Sequence, residues 1–184
     1  MKYICVFCGS KMGNRDVYRL AAQAMGKAIA SRGLNLVYGG SDVGLMGVIA
    51  DIVLENGGEV MGVIPEFFIS QEVAHENLTK LHIVKSMHER KALMAKLSDA
   101  FIALPGGYGT LEELAEIITW AQLTLHNKPI GILNVDDYYQ SLLEFFDKSV
   151  SEGFLSKKLR SLILEASNPN DLLDLIQNPP SISL

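Results

Sequence analysis

Residues 105–110 read Pro-Gly-Gly-Tyr-Gly-Thr and run straight into Leu-Glu-Glu. Three glycines between an apolar run and a helical pattern let backbone N–H groups approach an anion closely. The helix N-terminus behind them adds partial positive charge. That chemistry suits a phosphate. The stretch is not a Walker A loop, because no Gly-Lys-Ser/Thr follows. Nor is it the dinucleotide pattern Gly-x-Gly-x-x-Gly, because after Gly107 and Gly109 the third place is Glu112. A mononucleotide phosphate fits the spacing better than NAD or a hydrolysed ATP.

Ser-Met-His-Glu-Arg-Lys, residues 86–91, is the second stretch with chemical potential. Ser86 and Glu89 match a capping box, which predicts a helix start. Arg90 then shares a helical stripe with Met87, Leu93, Met94 and Leu97. A guanidinium on a buried face needs a carboxylate or a ligand anion, so a structural ion pair and a ligand contact both stay open. Thr110 and Glu113 also match a capping box. The competing role for Glu113 is chemical, as a carboxylate beside a phosphate-binding turn and opposite a buried arginine.

Other reactive residue types carry less. His88 has no second histidine at the zincin spacing, and His75, His82 and His126 are scattered, so no metal site is expected. Lys91 lies in no recognisable cofactor motif, which favours ligand anchoring or exposure over a Schiff base. Cys5 and Cys8 form Cys-x-x-Cys within an apolar run. On a strand that spacing sends the two thiols to opposite faces, as small core residues rather than a redox or metal pair.

The elements that must position these groups follow from the periodicity. Strands are expected at 2–8, 34–39, 59–64, 81–85, 100–105 and 129–133, with a last short one within 159–166. Helices are expected at 14–32, 44–55, 87–97, 110–124, 137–149 and 170–177, and an irregular binding loop at 66–79. Continuous apolar strands alternating with helices predict a single α/β domain, a doubly wound parallel sheet covered on both faces. It should span residues 1–178, with 179–184 as a loose tail. Ligands of such sheets bind beyond the carboxyl ends of the strands. The loops after the first five strands hold the glycines, hydroxyls and charges, with Ser10, Gly39, Gly40, Met46 and Met87 among the binding candidates.

With 184 residues, 48% of them hydrophobic, the chain can bury a full core, and its net charge of −5 comes without a basic stripe. Lys157, Lys158 and Arg160 read as a solvated helix face. A nucleic-acid partner is therefore not expected. No apolar run reaches the length of a membrane span and the N-terminus lacks a signal-peptide pattern, so a cytoplasmic protein without a membrane partner is expected.

Met-His-Glu-Arg-Lys at 87–91 and Pro-Gly-Gly-Tyr-Gly-Thr-Leu-Glu-Glu at 105–113 resemble the M-H-x-R-K and P-G-G-x-G-T-x-x-E signatures of the LOG (Lonely Guy) family. These are cytokinin riboside 5′-monophosphate phosphoribohydrolases, long labelled lysine decarboxylase-like. Gly-Gly-Ser-Asp-Val-Gly-Leu-Met-Gly at 39–47 and Ile-Thr-Trp-Ala-Gln-Leu at 118–123 extend the resemblance over nearly the whole chain. It implies a Rossmann-like subunit in a homodimer, with no organic cofactor or metal. It also implies hydrolysis of the N-glycosidic bond of a nucleoside 5′-monophosphate, with Arg90 and Glu113 as the catalytic pair. By the same resemblance Lys91, Glu72, Thr119 and the run Gly107, Tyr108, Gly109, Thr110, Leu111 and Glu112 would touch substrate. Gly106 would join that run in holding the 5′-phosphate. A non-catalytic nucleotide or cofactor carrier is the alternative. An amino-acid decarboxylase loses support because the chain shows no lysine in a recognisable pyridoxal-phosphate site.

Overall fold

The computed structural model describes residues 1–69 and 74–180. Seven strands form one sheet: β1 (Tyr3–Phe7), β2 (Asn35–Tyr38), β3 (Val60–Pro65), β4 (Lys80–Val84), β5 (Ala100–Ala103), β6 (Ile130–Leu133) and β7 (Ile163–Ala166). All pair in parallel, in the order β4-β3-β2-β1-β5-β6-β7. The chain winds outward from β1 to β4, then crosses to the other side of β1 to build β5, β6 and β7. The reversal lies between β1 and β5, so their carboxyl ends flank the crevice that a doubly wound sheet offers to ligands.

The helices are α1 (Asp16–Ser31), α2 (Gly44–Glu55), the short α3 (Glu66–Ile69), α4 (Met87–Leu97), α5 (Tyr108–Gln122), α6 (Gln140–Ser151), the short α7 (Lys157–Arg160) and α8 (Pro169–Gln177). One core layer packs α1, α2 and α8 against the sheet through residues such as Met25, Ile49 and Leu172. The other packs α4, α5 and α6 through Met94, Leu114, Ile117 and Leu143. β1 shows why the strands read as unbroken apolar runs. Ile4, Val6 and Cys8 enter the first layer, and Cys5 and Phe7 the second. The two cysteines therefore sit on opposite faces, both free and buried.

Expected and observed boundaries differ where local tertiary detail decides them. β3, expected at 59–64, runs one residue further to Pro65, which pairs with Val84. Part of the irregular segment expected at 66–79 is helical, as α3. The tail at 181–184 lies outside the described residues. Among the described residues no helix is long and apolar enough to cross a membrane.

Helix ends repeat one device. In α1, α2 and α6 the residue after the C-cap is Gly33, Gly57 or Gly153, each with φ between 66° and 81°. Paired backbone bonds close each end, for example Leu34 N–H to Ile29 O and Gly33 N–H to Ala30 O. α5 closes the same way, with Leu125 N–H to Trp120 O at 2.9 Å and Thr124 N–H to Ala121 O at 3.0 Å. Its left-handed position is held by Thr124, a β-branched residue at φ 59°. Thr124→Gly should therefore raise unfolding stability by about 1 kcal/mol, read by urea titration, because it removes left-handed strain at an exposed position.

Candidate functional site

The carboxyl ends of β1 and β5 are joined beyond the strands themselves. Gly9 N–H donates to Pro105 O and Leu45 N–H to Gly9 O, each at 3.0 Å. The loop after β1, the start of α2 and the glycine turn after β5 are thus tied together by backbone hydrogen bonds. Gly44, at φ 61°, completes the seam, since a Cβ there would lie 2.3 Å from the backbone carbon of Ser10. Above the seam opens a cavity of about 540 Å³, within the range of small-molecule sites. Its lining includes Ser10, Lys11 and Met12 from the loop after β1, Met46, Phe68 and Met87 from α2, α3 and α4, and residues 105–110.

Arg90 reaches the cavity from α4. Ser86 caps this helix by accepting from Glu89 N–H at 3.1 Å, while the Glu89 carboxylate accepts from Lys85 N–H at 2.8 Å. The helix therefore starts where the capping box places it, although Glu89 reaches one residue further back than a box requires. The Arg90 side chain turns inward and is 8% exposed. Its Nε donates to Val63 O at 3.1 Å and its Nη2 to Gly39 O at 3.2 Å, while Nη1 lies 3.8 Å from Met87 Sδ. Among the described residues no carboxylate forms an ion pair with it. The cation is held by carbonyl oxygens at the ends of β2 and β3, and Arg90 lines the cavity.

Glu113 reaches the same cavity from α5. The helix begins at Tyr108, not Thr110, with Gly107 as its N-cap and no side-chain cap. A Thr110–Glu113 capping box is thus absent, and the Glu113 carboxylate is free of that duty. Thr110 instead turns back against Gly106, where a Cβ would lie 2.1 Å from its Oγ1. The first backbone bond runs from Leu111 N–H to Gly107 O, so the amides at 108–110 have no partner among the described residues. Gly107 and Gly109 are the reverse of Gly106. A Cβ on either would meet nothing within 4 Å, and neither has positive φ.

Burial pushes the Glu113 carboxyl up, Arg90 pulls it down, and Glu112 pushes it up again. With the smaller opposed effects of Lys91 and Glu116 it settles at about 7. Cys8 also lines the cavity, but burial and the neighbouring Glu113 push its thiol up, so at neutral pH it is not a thiolate.

The other expected residues divide by position. Ser10, Met46, Met87, Gly106, Gly107, Tyr108, Gly109, Thr110 and Glu112 line the cavity with Arg90 and Glu113. Gly39 and Gly40 do not. A Cβ on Gly39 would lie 2.1 Å from Arg90 Nη2, so its role is to admit the guanidinium. Gly40, at φ 80°, accepts from His75 N–H at 3.2 Å, where the segment after α3 returns to the sheet. Lys91 does not line the cavity and pairs with Glu112 and Glu116. Leu111 faces an adjoining groove with Tyr138, Tyr139 and Leu142. Thr119 is exposed, its hydroxyl donating to Ala115 O at 2.8 Å. Glu72 lies outside the described residues.

Tyr138 lines the cavity without any sequence motif to mark it. It follows β6, whose connection holds Asp136 at φ 48° and Asp137 at φ 59°. Arg15 pairs with Asp136 across this turn. The turn delivers Tyr138 Oη to Gly106 O at 2.6 Å and Tyr139 Oη to Leu104 O at 2.7 Å. Two hydroxyls thereby pin the chain on which the glycine turn sits.

A family model described as "Possible lysine decarboxylase" matches residues 46–176. A "Probable cytokinin riboside 5'-monophosphate phosphoribohydrolase" of Oryza sativa subsp. japonica is 52% identical over 176 residues, covering 96% of this chain and 83% of that protein. A cytokinin riboside 5'-monophosphate phosphoribohydrolase of Arabidopsis thaliana is 52% identical over 177 residues, with the same coverage. Among solved structures, a molybdenum cofactor carrier protein of Chlamydomonas reinhardtii superposes with a TM-score of 0.73 at 21% identity, covering 96% of each chain. At that identity the likeness is one of fold.

Glu113 links stability to pH with a definite sign. Its folded value lies above its ordinary 4.5, so its contribution is fully present below about 4.5 and lost as pH rises through about 7. Between pH 4.5 and 8 the protein should lose about 2 kcal/mol of unfolding free energy relative to Glu113→Gln. Urea titrations of both proteins across that range check it; parallel curves would mean an ordinary carboxylate.

Proposed function

The chain belongs to the LOG family of cytokinin riboside 5′-monophosphate phosphoribohydrolases, and from that membership we propose that it hydrolyses the N-glycosidic bond of a purine nucleoside 5′-monophosphate. The products are the free base and ribose 5-phosphate. One observation supports this most directly. An uncapped helix N-terminus, with open space above Gly107 and Gly109, shares one cavity with a buried arginine and a half-buried carboxyl. Gly109, which neither packing nor positive φ demands, is explained by a ligand that must approach the backbone.

The amides at 108–110 and the Thr110 hydroxyl would hold the 5′-phosphate. Fixing that end fixes the sugar relative to Glu113, which is a positioning contribution. Cleavage passes through a ribosyl cation with positive charge at C1′, which an ionised Glu113 stabilises while orienting water. A value near 7 lets the carboxyl take up and release a proton close to neutral pH. Arg90 cannot supply a proton, since a guanidinium stays charged in proteins. It donates hydrogen bonds to the base or the phosphate from a fixed position.

The family description names a lysine decarboxylation, and the site does not fit a pyridoxal Schiff base. Lys91 does not line the cavity and is engaged by Glu112 and Glu116, and Lys11 lies exposed on a loop. A carrier would need no carboxylate beside the sugar. The same proposal makes the protein a cytoplasmic homodimer. Leu111, Leu123, Leu125 and Phe145 are exposed on the α5–α6 side, beyond the apolar residues that α5 buries against the sheet.

Incubation with AMP should release adenine, resolved by chromatography; tight binding with no adenine, from AMP or from its isopentenylated analogue, would make the protein a carrier. Glu113→Gln should keep nucleotide affinity and lose at least about 100-fold in kcat. Gly109→Ala separates ligand from fold: no protein atom opposes the methyl, so the melting temperature should hold or rise slightly. KM for AMP should climb at least about tenfold, because the methyl enters the phosphate's space.

A further inference from the structure

A backbone turn binds an anion through its N–H groups only if its carbonyl oxygens are kept from it. From Leu104 to Gly107 each carbonyl is engaged. Leu104 O accepts from Tyr139 Oη at 2.7 Å and Pro105 O from Gly9 N–H at 3.0 Å. Gly106 O accepts from Tyr138 Oη at 2.6 Å and Gly107 O from Leu111 N–H at 3.1 Å. Pro105 and Gly107 are held by backbone donors, and Leu104 by a buried tyrosine. Gly106 O is held by the phenol of Tyr138, a residue 41% exposed that also lines the cavity. The peptide it fixes joins two glycines, so no side chain resists its rotation, and open space lies beside Gly107. We propose that Tyr138 is a positioning residue for nucleotide binding: by occupying Gly106 O it locks the 106–107 peptide, so that the turn presents donors and no free acceptor to the 5′-phosphate.

The two ends of a trans peptide's dipole point in opposite directions. Rotation of the 106–107 peptide therefore turns its carbonyl oxygen as it turns its N–H, and a free oxygen beside a doubly charged phosphate is repelled by it. The Tyr138 hydroxyl removes that freedom, and the fold holds its ring in place from two sides. Tyr138 N–H donates to Val135 O at 3.0 Å and Tyr139 N–H to Asn134 Oδ1 at 2.8 Å, closing the turn after β6. Arg15, at the start of α1, pairs with Asp136 of that turn. Tyr18, one turn into α1, meets the Tyr138 ring edge-on with centroids 5.4 Å apart. Ring and backbone are thus fixed by α1 and the β6 connection, and the hydroxyl alone is given to the glycine turn.

This inference rests on the phosphate site proposed above, and its test separates the two. Tyr138→Phe keeps the ring and removes the hydroxyl. KM for AMP should rise at least about tenfold while kcat stays within about threefold, because the lost interaction serves the bound and the transition state alike. Calorimetry reads the same effect without turnover. Affinities for AMP and for ribose 5-phosphate should fall together by about tenfold, and that for adenosine should stay within about twofold. The melting temperature should stay within about 4 °C of wild type. Equal weakening of AMP and adenosine would make Tyr138 a wall for the sugar or base and overturn the proposal. Unchanged AMP affinity with a lower melting temperature would reduce the bond to a structural one and overturn it too. If wild type binds AMP without releasing adenine, hydrolysis fails as the function, and the split between phosphorylated and unphosphorylated ligands still decides the role of Tyr138. Wild type that binds neither AMP nor ribose 5-phosphate removes the phosphate site and this inference with it.

Discussion

The site depends on how a buried guanidinium is accommodated. Arg90 has lost most of its water and gains no carboxylate among the described residues, so carbonyl oxygens at the ends of β2 and β3 take its hydrogen bonds. An uncompensated buried cation is costly, and this solution constrains its surroundings. Gly39 must lack a side chain, because a methyl there would occupy the position of Nη2. β2 and β3 must end in register, as the pairing of Tyr38 with Gly62 ensures. The partial charge of two carbonyls leaves most of the cation's field unneutralised, and that field reaches Glu113. Arg90 is the largest influence favouring Glu113's ionised form, against burial that favours the neutral one.

How much of this was legible in the chain depended on the range of the interaction. The cysteine spacing on β1 separated two faces of a strand, which is geometry within three residues. α2 and α4 fall where periodicity places them, because glycines at 57–58 and the Ser86 cap are local signals. The start of α5 was not legible. Thr110 and Glu113 have capping-box spacing, but the packing of Thr110 on Gly106 draws the helix back to Tyr108. Arg90's need for partners followed from its stripe, yet Val63 and Gly39 lie 27 and 51 residues away. Lys91's partner Glu112 is 21 residues distant, and only the fold could reveal that pair. Tyr138 was hidden for another reason. Its connection follows β6, one strand beyond the loops richest in glycine and charge, and its turn uses two left-handed aspartates where a sequence reader looks for glycine.

The glycines in the signatures look alike in sequence and do two different jobs. Gly39, Gly44 and Gly106 are demanded by the protein, since each faces atoms that would overlap a methyl. Gly107 and Gly109 both face open space; Gly107 holds φ −96° and ψ −149°, which favours glycine, so it is Gly109 that nothing inside the chain requires. The first set shapes a rigid seam between β1 and β5. The second leaves bare amides on that seam. Rigidity beneath and bareness above are complementary, because a backbone anion site discriminates only if the backbone cannot retreat from its ligand.

A sheet of this order is shared with carrier proteins, as the superposition at 21% identity shows, so the scaffold does not choose between carrying and cleaving. The choice lies in what happens to charge during the event. A carrier needs its ligand's charges matched once, in the bound state, and glycine amides with a cation suffice for an anion. Glycosidic cleavage creates a new positive centre on the sugar that the bound state lacks, and only a group of opposite sign at that place responds to it. Glu113 is disfavoured by its own burial and supported there by Arg90. An ionised carboxyl in that setting adds little to holding an anionic nucleotide and opposes it through like charge. On the function proposed above, it is the transition state that accounts for its presence.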